Sequence, residues 1–192
     1  MTGSQQGCSL EASARRAGAE AWLEQRLFEL LGRWSAVAPH AQVRAELGPP
    51  ARHHAWHAEL WLDLLPAVPH LDPDELVVPE PGMAAVVARL EGLDAAGDRA
   101  TVRFLVGAYR VLLPRKLAAA AAWGRRLAPA TDGPTRRALE LVRRDELEEW
   151  QSGEARLQAL LTDAASVEAA AAEQAALERA LLDARSAGRA GS

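Results

Sequence analysis

Along most of this chain apolar residues recur at intervals of three and four. In "EAWLEQRLFELLGRW" the residues Leu23, Leu27, Leu30, Leu31 and Trp34 form a stripe with the period of an α-helix, not of a strand. Pro39 suits the first turn of a second helix. Gly48, Pro49 and Pro50 are expected to kink or interrupt that helix before it continues to about Leu65. Leu60 and Leu64 continue the face on which His53 and His57 fall. A third long helix is expected from about Arg99 to Leu127, with Phe104, Leu105, Tyr109, Leu112 and Leu113 mostly inward and a bend at Pro114. The turn "PATDGPT" follows, with Asp132 as N-cap and Pro134 near the first helical position. A fourth helix then runs from about Thr135 to Thr162. The alanine-rich segment from about Ser166 to Arg185 makes a fifth, with a weak stripe of Val167, Leu177 and Leu181.

The connections choose among helical architectures. "PAVPHLDPDELVVPEPG" carries five prolines in 17 residues, which predicts a long loop crossing the outside of the molecule. "MAAVVARLEGL" adds a short helix within that connection. Two helices on a short link, a connection of roughly 30 residues, and two more helices on a short link is the ferritin-like layout. The expectation is therefore all-α: a ferritin-like four-helix bundle with a long crossover connection and an extra C-terminal helix. Each short-linked pair should be antiparallel. Residues 1–9 and 186–192 read as disordered ends, 10–165 as the bundle and 166–185 as the C-terminal helix.

Composition narrows the partners. At 192 residues, with 49% hydrophobic and 25% charged residues, one ordinary globular domain is expected. A formal charge of −4 offers no basic stripe for nucleic acid and no attraction to an anionic membrane. No apolar run approaches the roughly 20 residues that span a bilayer, and the start lacks a signal-peptide layout. A cytoplasmic location is expected. Cys8, as the only cysteine, excludes a disulfide framework or a thiolate metal site within one chain. Lys116 is the only lysine among 22 basic residues, a bias that with the abundant alanine points to a GC-rich coding sequence.

Candidate chemistry centres on "RHHAWHAELW", Arg52 to Trp61. A di-iron carboxylate bundle draws one Glu from each of two helices and a Glu-x-x-His from each of the other two. The i, i+3 spacing turns both ligands to one metal. The second helix offers His54 and His57 at that spacing, the fourth Glu146 and Glu149, and the first Glu20 and Glu24 at the border of its stripe. The third offers Tyr109 and no inward carboxylate. His53 joins the cluster by proximity, so the metal-ligand set is His53, His54, His57, Glu146 and Glu149, with Glu20 or Glu24 contributing.

Glu146 falls on the Leu139, Val142 and Trp150 face, where a bare charge is costly, so it must be paired, coordinated or protonated. Tyr109 and Glu146 are the candidate catalytic residues. Set beside these are plainer roles: histidines satisfied by backbone and water, Glu146 paired with Arg103 or Arg110, and Tyr109 as core filler. The tryptophans are core residues first. His57 is expected within hydrogen-bonding or shared-ligand distance of a carboxylate from another helix, with Glu146 the first choice.

"LGPPARHHAWHAELWLDLLPAVP", "LVGAYRVLLPRKLAAA" and "DGPTRRALELVRRDELEEWQSGEA" resemble an uncharacterised actinobacterial family with a ferritin-like helical-bundle fold, over roughly residues 20–162. The resemblance implies that fold. Ferritin-like relatives in general use di-iron or di-manganese centres for oxygen or peroxide chemistry, whereas this chain lacks either Glu-x-x-His motif. Two functions follow, one of them an enzyme. The first is a metal-free bundle binding a small apolar ligand or a partner protein, with a homodimer through the C-terminal helix as one form. The second is a ferritin-like oxidoreductase with a His-rich iron or manganese ligand set.

Overall fold

The computed structural model describes residues 8–97 and 99–190. Helix α1, Leu10–Val37, starts where the Ser9 side chain accepts a hydrogen bond from the Ala12 amide at 3.2 Å. It stops short of Pro39, which disfavours helical geometry in the residue before it. Its stripe of Leu23, Leu27, Leu30, Leu31 and Trp34 is buried throughout. Three residues on, α2 runs from Ala41 to Leu62. The expected interruption at Gly48–Pro50 does not occur; α2 continues through both prolines. The two donors they remove belong to one turn, and the packed face on either side holds the helix together.

The crossover contains two further helices, α3 (Pro73–Leu76) and α4 (Pro81–Glu91). Leu71 and Leu76 pack with Ala14 of α1 in a small apolar cluster. The third long rod comprises α5 (Ala100–Val106), a π-helical segment (Gly107–Leu112) and α6 (Leu113–Gly124). Pro114 cannot donate to the preceding turn, and the chain responds with this widened π segment directly before it. Helix α7, Gly133–Leu160, has Pro134 in its first turn. The Asp132 side chain does not cap it; its Oδ2 accepts from the Ala128 amide at 2.7 Å and closes the turn instead. Helix α8 spans Ala164–Ala190, so residues 186–190, expected to be disordered, are helical. Of the other expected disordered positions, Ser9 caps α1, and residues 1–7, 191 and 192 lie outside the described residues.

No strand occurs among the described residues, only an isolated bridge between Val68 and Leu71. The π segment with α6 runs antiparallel to α7: Tyr109 lies against Gly153, Lys116 against Glu146 and Gly124 against Leu139, positions that advance on one rod as they retreat on the other. Trp34 stacks on Phe104 with centroids 4.4 Å apart, joining α1 to α5. The described residues contain no helix long and apolar enough to cross a membrane.

Helix α8 departs most from its sequence reading. Ala170, Glu173, Leu177 and Leu181 are buried, while Val167 is exposed. Its apolar stripe packs on α4, α5 and the π segment of the same chain, so this stripe is not available for a homodimer. Glu173 receives Arg89 at 2.6 Å and Arg103 at 2.8 Å, fastening the helix from two sides.

The core is layered. One large apolar cluster contains Leu27, Ala51, Leu105 and Leu113; a second contains Ala21, Trp61, Ala120 and Val142. Glu24, His54 and Lys116 sit between those positions on α1, α2 and α6, three to seven residues from their apolar neighbours, and Glu146 lies four residues beyond Val142 on α7. Helical periodicity thus delivers four ionisable side chains to one polar layer inside the bundle.

Candidate functional site

Every member of that layer is sealed from solvent. Glu24, His54 and Glu146 are 0% exposed, His57 and Lys116 1% and Glu20 2%. Burial on this scale is tolerable only if charges are matched and donors find acceptors. Lys116 matches them first: its Nζ lies 2.8 Å from Glu24 Oε1 and 3.5 Å from Glu20 Oε2, and donates to Glu146 Oε1. Arg16 reaches in from the surface to pair with Glu20. His54 Nδ1 donates to Glu24 Oε2 at 2.6 Å, and its Nε2 makes an ion-pair contact with Glu149 Oε2 at 3.1 Å without hydrogen-bond geometry.

His57 is held at one end only. Its Nε2 donates to Asp145 Oδ2 at 3.3 Å, and its Nδ1, 3.6 Å from Glu24 Oε1, has no hydrogen-bond partner among the described residues. Glu146 Oε2 and Glu149 Oε1 are likewise buried and unpartnered.

The neighbours set the protonation states. Burial alone lowers a histidine, but for His54 the carboxylates of Glu149 and Glu24 outweigh it and raise the pKa to about 10, so His54 is a cation at neutral pH. His57, where burial dominates, is pushed below its ordinary value and is neutral. Burial would raise Glu24, yet the charges of Lys116 and His54 overcome it and hold the carboxyl at about 2. For Glu146 burial wins over Lys116, with repulsion from Glu24 added, and the pKa rises to about 8. Lys116 stays charged: burial works against it, but Glu146, Glu24 and Glu20 prevail.

Glu24, His54, His57 and Glu146 each present one nitrogen or oxygen such that all four atoms lie within 4.8 Å of one another. Ligand atoms around a shared transition metal sit roughly 3–4 Å apart, since each lies about 2.0–2.2 Å from the ion. The donors are hard oxygens and imidazole nitrogens, the set that suits iron, manganese or zinc. His57 has the form of a ligand, with one nitrogen bonded to a carboxylate behind it and the other a free lone pair facing inward. Lys116 bonds one oxygen of Glu24 and one of Glu146, so its ammonium lies between the two carboxyl groups.

Of the residues expected in the set, His54, His57 and Glu146 come together. Glu149 meets the far side of His54, and His53 is exposed and takes no part. Both Glu20 and Glu24 are interior. Glu146 pairs with neither expected arginine: Arg103 serves Glu173 and Arg110 serves Glu154. His57 lies within shared-ligand distance of Glu146 but hydrogen-bonds its neighbour, Asp145. Trp34, Trp61 and Trp123 are core residues as expected, whereas Trp56 is 43% exposed.

Lys116 and Asp145 were not anticipated as parts of the site. Lys116 was legible, since it falls at helical spacing with Leu113, Ala120 and Trp123 on one buried face. Asp145 gave no such signal; it sits one residue off the inward position.

Beside this centre a groove of about 560 Å³ opens between α2 and α7. Val43, Leu47, Pro49, Pro50 and Leu105 form apolar walls, and Tyr109, Asp145 and Glu149 also line it. Tyr109 is buried beneath Gly153, where a Cβ would fall on its ring. Burial first, then the adjacent Glu149 carboxylate, push its phenol well above the ordinary tyrosine value, so it is a neutral donor. Comparison with protein-family models, with curated proteins and with solved structures finds no match to this chain.

Proposed function

We propose that this chain is a ferritin-like helical bundle that binds one divalent transition metal, iron or manganese, and uses it on a small molecule held in the α2–α7 groove. The observation that carries this reading is His57: a neutral imidazole, its Nε2 tied to Asp145, its buried Nδ1 unpartnered among the described residues and turned toward Glu24. Glu24, Glu146 and His54 complete the ligand set, Glu146 and His54 after loss of their protons. The bound metal would supply Lewis-acid or one-electron chemistry. Tyr109 would donate a hydrogen bond to a molecule in the groove, and Glu149 would orient His54. With Lys116 already bridging Glu24 and Glu146, the site takes one metal and not two.

A metal-free reading has its own support. Lys116⁺ and His54⁺ already balance the carboxylates, so the layer is electrostatically closed without a metal. The bundle would then be a binding protein for a small molecule in the groove. Elemental analysis of protein purified without a histidine tag, followed by calorimetric titration with Mn²⁺ and anaerobic Fe²⁺, separates the two. The metal reading expects one equivalent bound, with binding lost in His57→Ala and Glu146→Ala and retained in His53→Ala. Absence of stoichiometric binding to the parent protein leaves the metal-free reading.

A further inference from the structure

We infer that the α2–α7 groove is a binding site for an elongated apolar molecule ending in an amine, with its ammonium seated against Glu149 and its body along Pro49, Pro50 and Leu105. This rests on the groove, not the metal, of the function proposed above.

Three independent features of the groove select a cation. At the inner end, Glu149 is 9% exposed, and its Oε1 has no hydrogen-bond partner among the described residues. Its other oxygen, Oε2, faces His54 at 3.1 Å and the Tyr109 phenol lies beside the same carboxylate, which leaves Oε1 as the acceptor at the inner end of the groove. The second feature is the backbone of α2. Pro49 and Pro50 deprive the Ala45 and Glu46 carbonyls of their helical donors, and all four residues line the groove. Two more acceptors therefore lack their usual partner in the same wall.

The third feature is the balance of charge. Arg156 pairs with Glu46 and the His54 cation faces Glu149, while Asp145 and Glu148 add further carboxylates along the α7 side. An anionic ligand would meet these carboxylates directly. A neutral one would leave the buried Oε1 unserved. The apolar walls and a volume of about 560 Å³ suit a molecule of ordinary small-ligand size.

The test uses the full chain stripped of metal with EDTA and three probes of equal length: n-octylamine, n-octanol and octanoate, each titrated calorimetrically. Octylamine should bind saturably and at least ten-fold more tightly than octanol, and octanoate should not bind. Glu149→Gln should reduce octylamine affinity at least ten-fold. Because that change also removes a partner of His54, Ser152→Arg is the companion variant. Ser152 is an exposed groove residue, and a cation there should repel the amine while the helical circular dichroism and melting temperature stay those of the parent. Equal binding of octanol and octylamine, or undiminished binding by folded Ser152→Arg, overturns the inference. Octylamine binding by protein that takes up no metal upholds the groove and removes only the metal reading. Metal uptake without amine binding overturns the groove assignment and leaves the metal reading in place.

Discussion

A lysine ammonium inside a helical bundle survives only because three glutamate side chains surround it. Lys116 is 1% exposed, and Glu20, Glu24 and Glu146 all lie within 3.5 Å of its Nζ. Lys116→Met keeps most of the volume and removes the charge, leaving the carboxylates to repel one another. Loss of one partner from a buried ion pair costs about 3–5 kcal/mol, so urea unfolding of this variant should show a deficit of that order. If Lys116 stands where a second metal would sit, millimolar Mn²⁺ should restore part of that loss in the variant. It should add less stability to the parent. A deficit untouched by metal would separate Lys116 from the metal reading.

Helices in this fold meet at glycines as well as through apolar stripes. At Gly18 a Cβ would fall on the backbone carbonyl of Leu76, so α1 and α3 can touch only because that side chain is absent. Gly18→Ala must push α3 away, and overpacking of this kind costs about 1–3 kcal/mol. For a chain of this size that lowers the melting temperature by about 2–4 °C per kcal/mol. Gly32→Ala is the control, since a Cβ there meets nothing within 4 Å.

Helix α8 is fastened by charge, and this gives it a pH dependence. Burial would raise Glu173, but hydrogen bonds from Arg89 and Arg103 outweigh it and lower its pKa below the ordinary glutamate value. A group depressed on folding contributes stability at pH values above its unfolded pKa and loses it as pH falls through the folded pKa. Hydrogen-exchange protection in α8, taken relative to the intrinsic rate at each pH, should therefore fall below about pH 4.5, the ordinary carboxylate range, before the rest of the bundle opens. Glu173→Gln should abolish that pH dependence. The stability lost should be modest, about 1 kcal/mol, because both arginines are more than a third exposed and screened by water.

At the scale of the whole molecule, the question is whether α8 is an appendage. Its weak stripe suggested a helix held loosely or by a second subunit. In the structure Ala170, Leu177 and Leu181 belong to the same apolar cluster as Trp34 and Phe104. Truncation before Ala164 should therefore expose one side of α4 and the π segment and broaden or abolish cooperative unfolding. A truncated chain that melts sharply within a few degrees of the parent would return α8 to the status of an appendage.

The sequence by itself determined the helices and their inward faces. The spacing of Leu23, Leu27, Leu30 and Trp34, the short links and the proline-rich crossover depend on local propensity and period, which are properties of neighbouring residues. It also pointed to His53, His54, His57, Glu146 and Glu149 as one group, because i, i+3 spacing fixes which side chains of a helix share a face, though His53 is exposed. Tertiary structure alone decided the partners. Whether Glu146 meets Arg103, Arg110 or Lys116 depends on how far α6 slides along α7, and that register is set where the Tyr109 ring packs over Gly153. A shift of one helical turn would move every pairing by about 5.4 Å, more than any hydrogen bond spans. The packing of α2 against α7 gave His57 to Asp145 and opened the groove beside Pro49 and Pro50, and its packing against α1 left the His57 Nδ1 facing Glu24. None of these is a property of one helix; each comes from the packing between two.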